Sequence, residues 1–139
     1  MLVLDTNVYL DVDGDAALAG RVAAFLAEQV EAVGLSSVVL AELLIGVTTG
    51  AERRRLLAAT TGAVASEHVL TPTDADWQRA GDALNQLGGD AVTRRRSFWN
   101  DLLIAASCAR VGAMLVTRNV DDFRRIRRVI PVTIEVRPA

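Results

Sequence analysis

Short continuous apolar runs alternate along the chain with stretches in which apolar residues return every three or four positions. The run "MLVL" at 1–4 stops at Asp5, which predicts a buried strand ending on a carboxylate. "TNVYLDV" after it predicts a short helix with Asp5 or Thr6 at the cap. From Ala16 to Ala32, Leu18, Val22, Phe25, Leu26 and Val30 fall at helical spacing, with Arg21, Glu28 and Glu31 on other faces, and Gly34 is expected to end that helix. "LSS" predicts a short strand leading to a Ser cap. "VVLAELLIGV" predicts a buried helix that carries one charge, Glu42.

Further on, "AERRRLLAAT" predicts a helix and "AVASEHVL" alternates like a strand. "TPTDADWQRAGDALNQLGG" predicts a helix with Thr73 as N-cap, acids in its first turn and a Gly-Gly stop. "SFWNDLLIAASCARVG" predicts another, capped by Ser97 and ended by Gly112. "AMLVT" is a buried strand, "RNVDDFRRI" a short helix and "VIPVTIEV" a last strand interrupted by Pro131. Strands that alternate with helices make an α/β fold with a mostly parallel sheet covered on both faces. Neither repeats nor linkers break the 139 residues, so a single domain over 1–139 is expected.

Composition removes several classes. The longest apolar runs fall well short of the ~20 residues that span a bilayer, and the first residues lack the basic segment and longer apolar run of a secretory signal. No membrane association and a cytoplasmic location are expected. Cys108 is the only cysteine, which leaves no intrachain disulfide and no cysteine-based zinc site. The net charge of −2 hides an uneven distribution: residues 1–90 hold five Arg against thirteen acids, and residues 91–139 hold ten Arg against four. Arg94, Arg95, Arg96 and Arg118 in that basic part are candidates for holding the phosphates of an anionic ligand, against the ordinary alternative of a solvated face.

The carboxylates carry the chemistry. A buried carboxylate must be paired, hydrogen-bonded or bound to a cation, or it takes up a proton, and the chain contains no lysine at all. In an open parallel sheet the ligand crevice lies outside the carboxyl ends of the strands. Asp5 follows the first strand; Thr117, Asn119, Asp121 and Asp122 follow "AMLV"; Glu42 and Asp101 lie near helix starts that could reach the same edge. Several carboxylates in one crevice repel unless divalent cations neutralise them, and oxygen ligands favour Mg²⁺ or Mn²⁺ over zinc. Such a set suits metal-assisted phosphodiester hydrolysis.

Taken in this order, "MLVLDTN", "LSSVVLAELLIGV", "NDLLIAAS" and "LVTRNVDDF" resemble the PIN-domain ribonucleases, in particular the VapC toxins of bacterial toxin-antitoxin pairs. The resemblance implies a three-layer αβα sandwich and a Mg²⁺-dependent endoribonuclease whose metal-ligating, catalytic acids are Asp5, Glu42 and Asp101. It also implies a homodimer and a small antitoxin that blocks the site. Asn119 stands where many relatives have Asp, so Asp122 is expected to be the fourth acid. Thr6, Asn7, Thr117 and Asn119 are expected to support the site, and Asp121 to face solvent.

Other readings compete with this one. "DVDGD" at 11–15 lacks the glycine and glutamate spacing of a calcium loop and reads as a polar turn before the long helix. His68 reads as structural or surface, and Phe98 and Trp99 as packing residues before base-stacking ones. Asp5 and Asp101 could be plain helix caps, which leaves Glu42 unexplained. A phosphoryl-accepting receiver domain would need an acid pair after the first strand and a lysine near the last. A catalytically silent PIN-like module that binds RNA or protein is the remaining alternative.

Overall fold

The computed structural model describes residues 1–14 and 31–136. Five strands, β1 (Leu2–Leu4), β2 (Val33–Ser36), β3 (Val69–Leu70), β4 (Met114–Thr117) and β5 (Thr133–Val136), form one sheet in the order β3-β2-β1-β4-β5. Every neighbouring pair is parallel. The described helices are α1 (Thr6–Gly14), α2 (Ser37–Ile45), α3 (Gly50–Ala59), α4 (Asp74–Leu87), α5 (Arg96–Val111) and α6 (Val120–Ile126).

The period-two alternation of the strands divides the apolar side chains between two cores. Val3 and Leu115 join the larger one with α2, α4, α5 and α6, while Leu2, Leu4 and Val116 meet Val8 of α1 on the opposite face. Helices therefore cover both faces, which makes the expected αβα sandwich. Residues 101–108 of α5 are all buried, as befits a helix sunk into the core rather than laid on it. Cys108 lies among them as a small hydrophobe, and burial pushes its thiol up to about 12. No helix among the described residues is long and apolar enough to cross a membrane.

Capping chemistry sets several of the boundaries. The Ser36 hydroxyl accepts from the Val39 N–H, and Thr73 with Asp76 forms a full capping box at the start of α4. Gly112 ends α5 with φ 69°, a left-handed conformation that glycine adopts without a Cβ penalty.

Other expectations fail for identifiable reasons. Gly34 lies inside β2 and ends no helix. A Cβ there would sit 2.6 Å from Met1 Sδ and 2.9 Å from the His68 carbonyl oxygen, so the residue is selected by close approach. Most of the helix expected over 16–32 lies outside the described residues, and Glu31 and Ala32 are not helical. Asp11 to Gly14 close α1 and do not form a separate turn. "AVASEHVL" yields a 3-10 turn at Ser66–His68 and only the two strand residues of β3, which pairs with β2. Arg95 takes the cap position before α5 without a side-chain bond, so Ser97 falls in the first turn. Pro131 precedes β5 and does not interrupt it. Finally, α2 is only partly buried: Val39 and Leu43 face the core, whereas Ala41 and Ile45 are exposed.

Candidate active site

From β1 the chain steps outward to β2 and β3, then returns to lay β4 on the other side of β1. The crevice of such a sheet opens where the order reverses, at the carboxyl ends of β1 and β4. Asp5 is the first residue after β1, and its N–H donates to the Val116 carbonyl at 2.9 Å, fixing it beside the end of β4. It is 3% exposed. Its Oδ1 accepts from the Thr6 N–H at 2.8 Å and its Oδ2 from the Thr117 hydroxyl at 2.7 Å.

Thr117 has a second task. Its hydroxyl oxygen accepts from the Asn119 N–H at 3.0 Å, which orders the turn between β4 and α6. The Asn119 side-chain N–H group then donates to Asp122 at 3.0 Å and toward Asp101 at 3.3 Å. Asn119 thus touches two of the acids through its amide nitrogen. On the other side, the Thr6 hydroxyl donates to Glu42 at 2.7 Å, and Asn7 Oδ1 accepts from the Arg118 N–H at 3.2 Å.

Thus the four expected acids meet at one edge from four different places: the end of β1, α2, the second turn of α5 and the first turn of α6. Asp121 is exposed, as expected. The crowding has an electrostatic consequence. Burial and the charges of Asp5, Glu42 and Asp122 push the Asp101 carboxyl up to about 9, with Arg95 acting weakly the other way. Burial also raises Asp5, opposed by its bonds to Thr117 and Thr6, with Glu42 adding to the rise.

All the donors are hard oxygens, the kind that Mg²⁺ and Mn²⁺ take. An Asp101 that holds its proton for want of nearby positive charge is what a cation would relieve. As they stand, no three acidic, histidine or cysteine side chains among the described residues converge tightly enough to hold an ion. The set fits a divalent cation in the chemistry of its donors and in the mutual repulsion that positive charge would relieve.

Arg94, Arg95 and Arg96 are exposed on the turn leading into α5. Arg95 Nη2 reaches Asp122 at 3.1 Å, a contact that sequence spacing gave no means of finding, since 27 residues separate the two. Phe98 is wholly buried and unavailable for stacking, whereas Trp99 is half-buried. His68 lies in the turn before β3, with no place in the acid set.

The model of the PIN domain family matches residues 2–129. A search of curated proteins found no match. Among solved structures, VapBC2 from Rickettsia felis bound to a promoter DNA fragment is similar at 20% identity and a TM-score of 0.68, over 99% of this chain and 98% of that one. VapBC-1 from nontypeable Haemophilus influenzae gives 24% identity and 0.65, over 97% and 96%. A toxin-antitoxin complex from Klebsiella pneumoniae gives 18% and 0.59, over 88% and 90%.

Proposed function

The chain belongs to the PIN domain family, and from that premise we propose that it is a Mg²⁺-dependent endoribonuclease, the toxin of a toxin-antitoxin pair. The observation that carries the reading is the gathering of Asp5, Glu42, Asp101 and Asp122 at the switch point, with Asp101 driven to hold a proton first by burial and then by its three acidic neighbours. Asp5, Glu42, Asp101 and Asp122 would hold the metal, with Mn²⁺ able to replace Mg²⁺. A cation bound there supplies an activated water and charge neutralisation at the leaving oxygen.

The remaining residues position that set. Thr117 and the Thr6 N–H fix both oxygens of Asp5, Thr6 orients Glu42, and Asn119 ties Asp101 to Asp122. Arg94, Arg95, Arg96 and Arg118 hold phosphates of the RNA on either side of the scissile bond. An antitoxin as partner is supported by the similarity to structures that are themselves toxin-antitoxin assemblies. A second copy of the chain is the other expected partner, and the cytoplasm the expected location.

A purified chain should cut single-stranded RNA in Mg²⁺, stop on chelation, and lose cleavage in Asp5→Asn with its circular dichroism unchanged. Cleavage at the wild-type rate in that variant, or in chelator, overturns the reading. Induced expression without an antitoxin should arrest growth, and mapped RNA ends would give the target. The competing reading, a binding module that cuts nothing, draws on the looseness of the acid set. It predicts RNA binding without product at any metal concentration.

A further inference from the structure

Trp99 stands where two features meet that the acid set does not use. On α4, half-exposed Trp77, buried Ala80 and partly buried Leu84 follow one another at i, i+3 and i+7 along one flank of the helix. Trp99 packs into it with its ring centre 5.8 Å from that of Trp77 and the planes 45° apart. It also lines a groove of about 500 Å³ together with Leu84, Thr93, Arg94, Arg95 and Arg96.

The arginine side of that groove is anchored. Arg125 of α6 donates to the Leu87 carbonyl at the end of α4 at 3.0 Å and pairs with Asp90 at 2.6 Å. Asp90 in turn accepts from the Thr93 N–H at 3.0 Å, and the Thr93 hydroxyl donates to the Asp90 carbonyl at 3.0 Å. The turn that presents Arg94 to Arg96 is thus tied to α4 and α6 before any ligand arrives. No acid lines the groove. Arg95, which lines the groove, also contacts Asp122 of the acid set at 3.1 Å.

An indole flanked by exposed guanidinium groups matches one ligand chemistry well: a flat base attached to a phosphate. We propose that this groove is a subsite for one nucleotide of single-stranded RNA beside the scissile phosphate, its base stacked on Trp99 and its phosphate held by Arg94 and Arg96. The inference rests on the nuclease reading above. Trp99 becomes a determinant of which base lies next to the cut, with purines favoured because their larger face covers more of the indole.

The test uses the full chain carrying Asp101→Asn to prevent cleavage. Its affinity is measured for a short RNA and for the same RNA made abasic at each position in turn. One abasic position should weaken binding roughly five- to a hundredfold, the range that base stacking supplies. Adding Trp99→Leu should weaken the intact RNA to the same level and erase the abasic difference, with the salt dependence unchanged. Trp99→Phe should restore part of the loss. Binding that is indifferent to every abasic position, or Trp99→Leu that keeps full discrimination, overturns the subsite and leaves the nuclease reading standing. A Trp99→Leu protein that changes its sedimentation state but not its affinity per protomer assigns the groove to self-association and also overturns it. Failure of the parent to bind any RNA at low salt removes both readings together.

Discussion

Replacing Asp101 with Asn tests the electrostatics of the site without any substrate. In the metal-free fold the carboxyl holds its proton up to about pH 9, whereas in the unfolded chain it loses it near the ordinary aspartate value of 3.8. Between those values the folded state binds one more proton than the unfolded state, so stability falls as pH rises. At pH 7 the gap from 3.8 is roughly three pH units, and at ~1.36 kcal/mol per unit this sets a ceiling of about 4 kcal/mol. Water entry and the Arg95 guanidinium relax part of it, and a gain of about 1–3 kcal/mol is expected for Asp101→Asn at pH 7. The new amide has carboxylate acceptors around it, so it is not left unsatisfied. Urea unfolding in chelator at pH 5, 7 and 9 measures this. The variant should exceed wild type at pH 7 and lead by more at pH 9, with the difference shrinking toward pH 5. Added Mg²⁺ should stabilise wild type and act weakly on the variant. A variant less stable than wild type at pH 7, or a difference that does not change with pH, would refute the crowding argument.

Three further outcomes are expected. Asp122→Asn should weaken Mg²⁺ binding by calorimetry by about tenfold or more, a loss on the order of 1.4 kcal/mol, and Asp121→Asn, on the exposed side of α6, should leave it unchanged. Replacing Arg94, Arg95 and Arg96 together with Gln should lower the slope of log affinity against log salt by roughly two, given ~0.7 for each phosphate contact to a single strand; an unchanged slope takes the three out of the RNA path. Asp76→Asn should cost about 1–2 kcal/mol at pH 7, because it loses charge-assisted bonds from Arg110 at 2.9 Å and the Thr73 N–H at 2.9 Å. Those bonds hold the Asp76 carboxyl below its usual value against the opposing effect of burial. The penalty should therefore persist above pH 4 and vanish as pH falls below the folded-state value, which a urea series from pH 2 to 7 would show.

What the sequence made legible depended on whether the cause was local. The ends of β1 and β4, the Thr73 cap and the Gly112 stop follow from residues within one turn of each other, and all are found where the pattern puts them. Gly34 misleads because its cause is distant, the close approach of Met1 and His68. "AVASEHVL" misleads because its alternation runs over a 3-10 turn at Ser66–His68 that leaves only two strand residues. The acids could be nominated because a carboxylate in apolar company is conspicuous. Their frame could not, because Arg95 on Asp122 and Thr117 on Asp5 are contacts across 27 and 112 residues.

Asp76 and Asp101 show where such reading stops and physics must take over. Both are buried acids within the first two turns of a helix, 3% and 6% exposed, and composition alone does not separate them. Asp76 lies three residues after a threonine, a local pattern that predicts a capping role, and its partners are donors: the Thr73 N–H and Arg110. Asp101 has no such pattern behind it. Burial raises it most, its neighbours Asp5, Glu42 and Asp122 raise it further, and one amide donor at 3.3 Å does not offset them. The first carboxylate is held charged by the fold and stabilises it. The second is held neutral at the expense of the fold, an arrangement that becomes favourable only when positive charge arrives, so its burial points to a ligand where that of Asp76 points to a helix start.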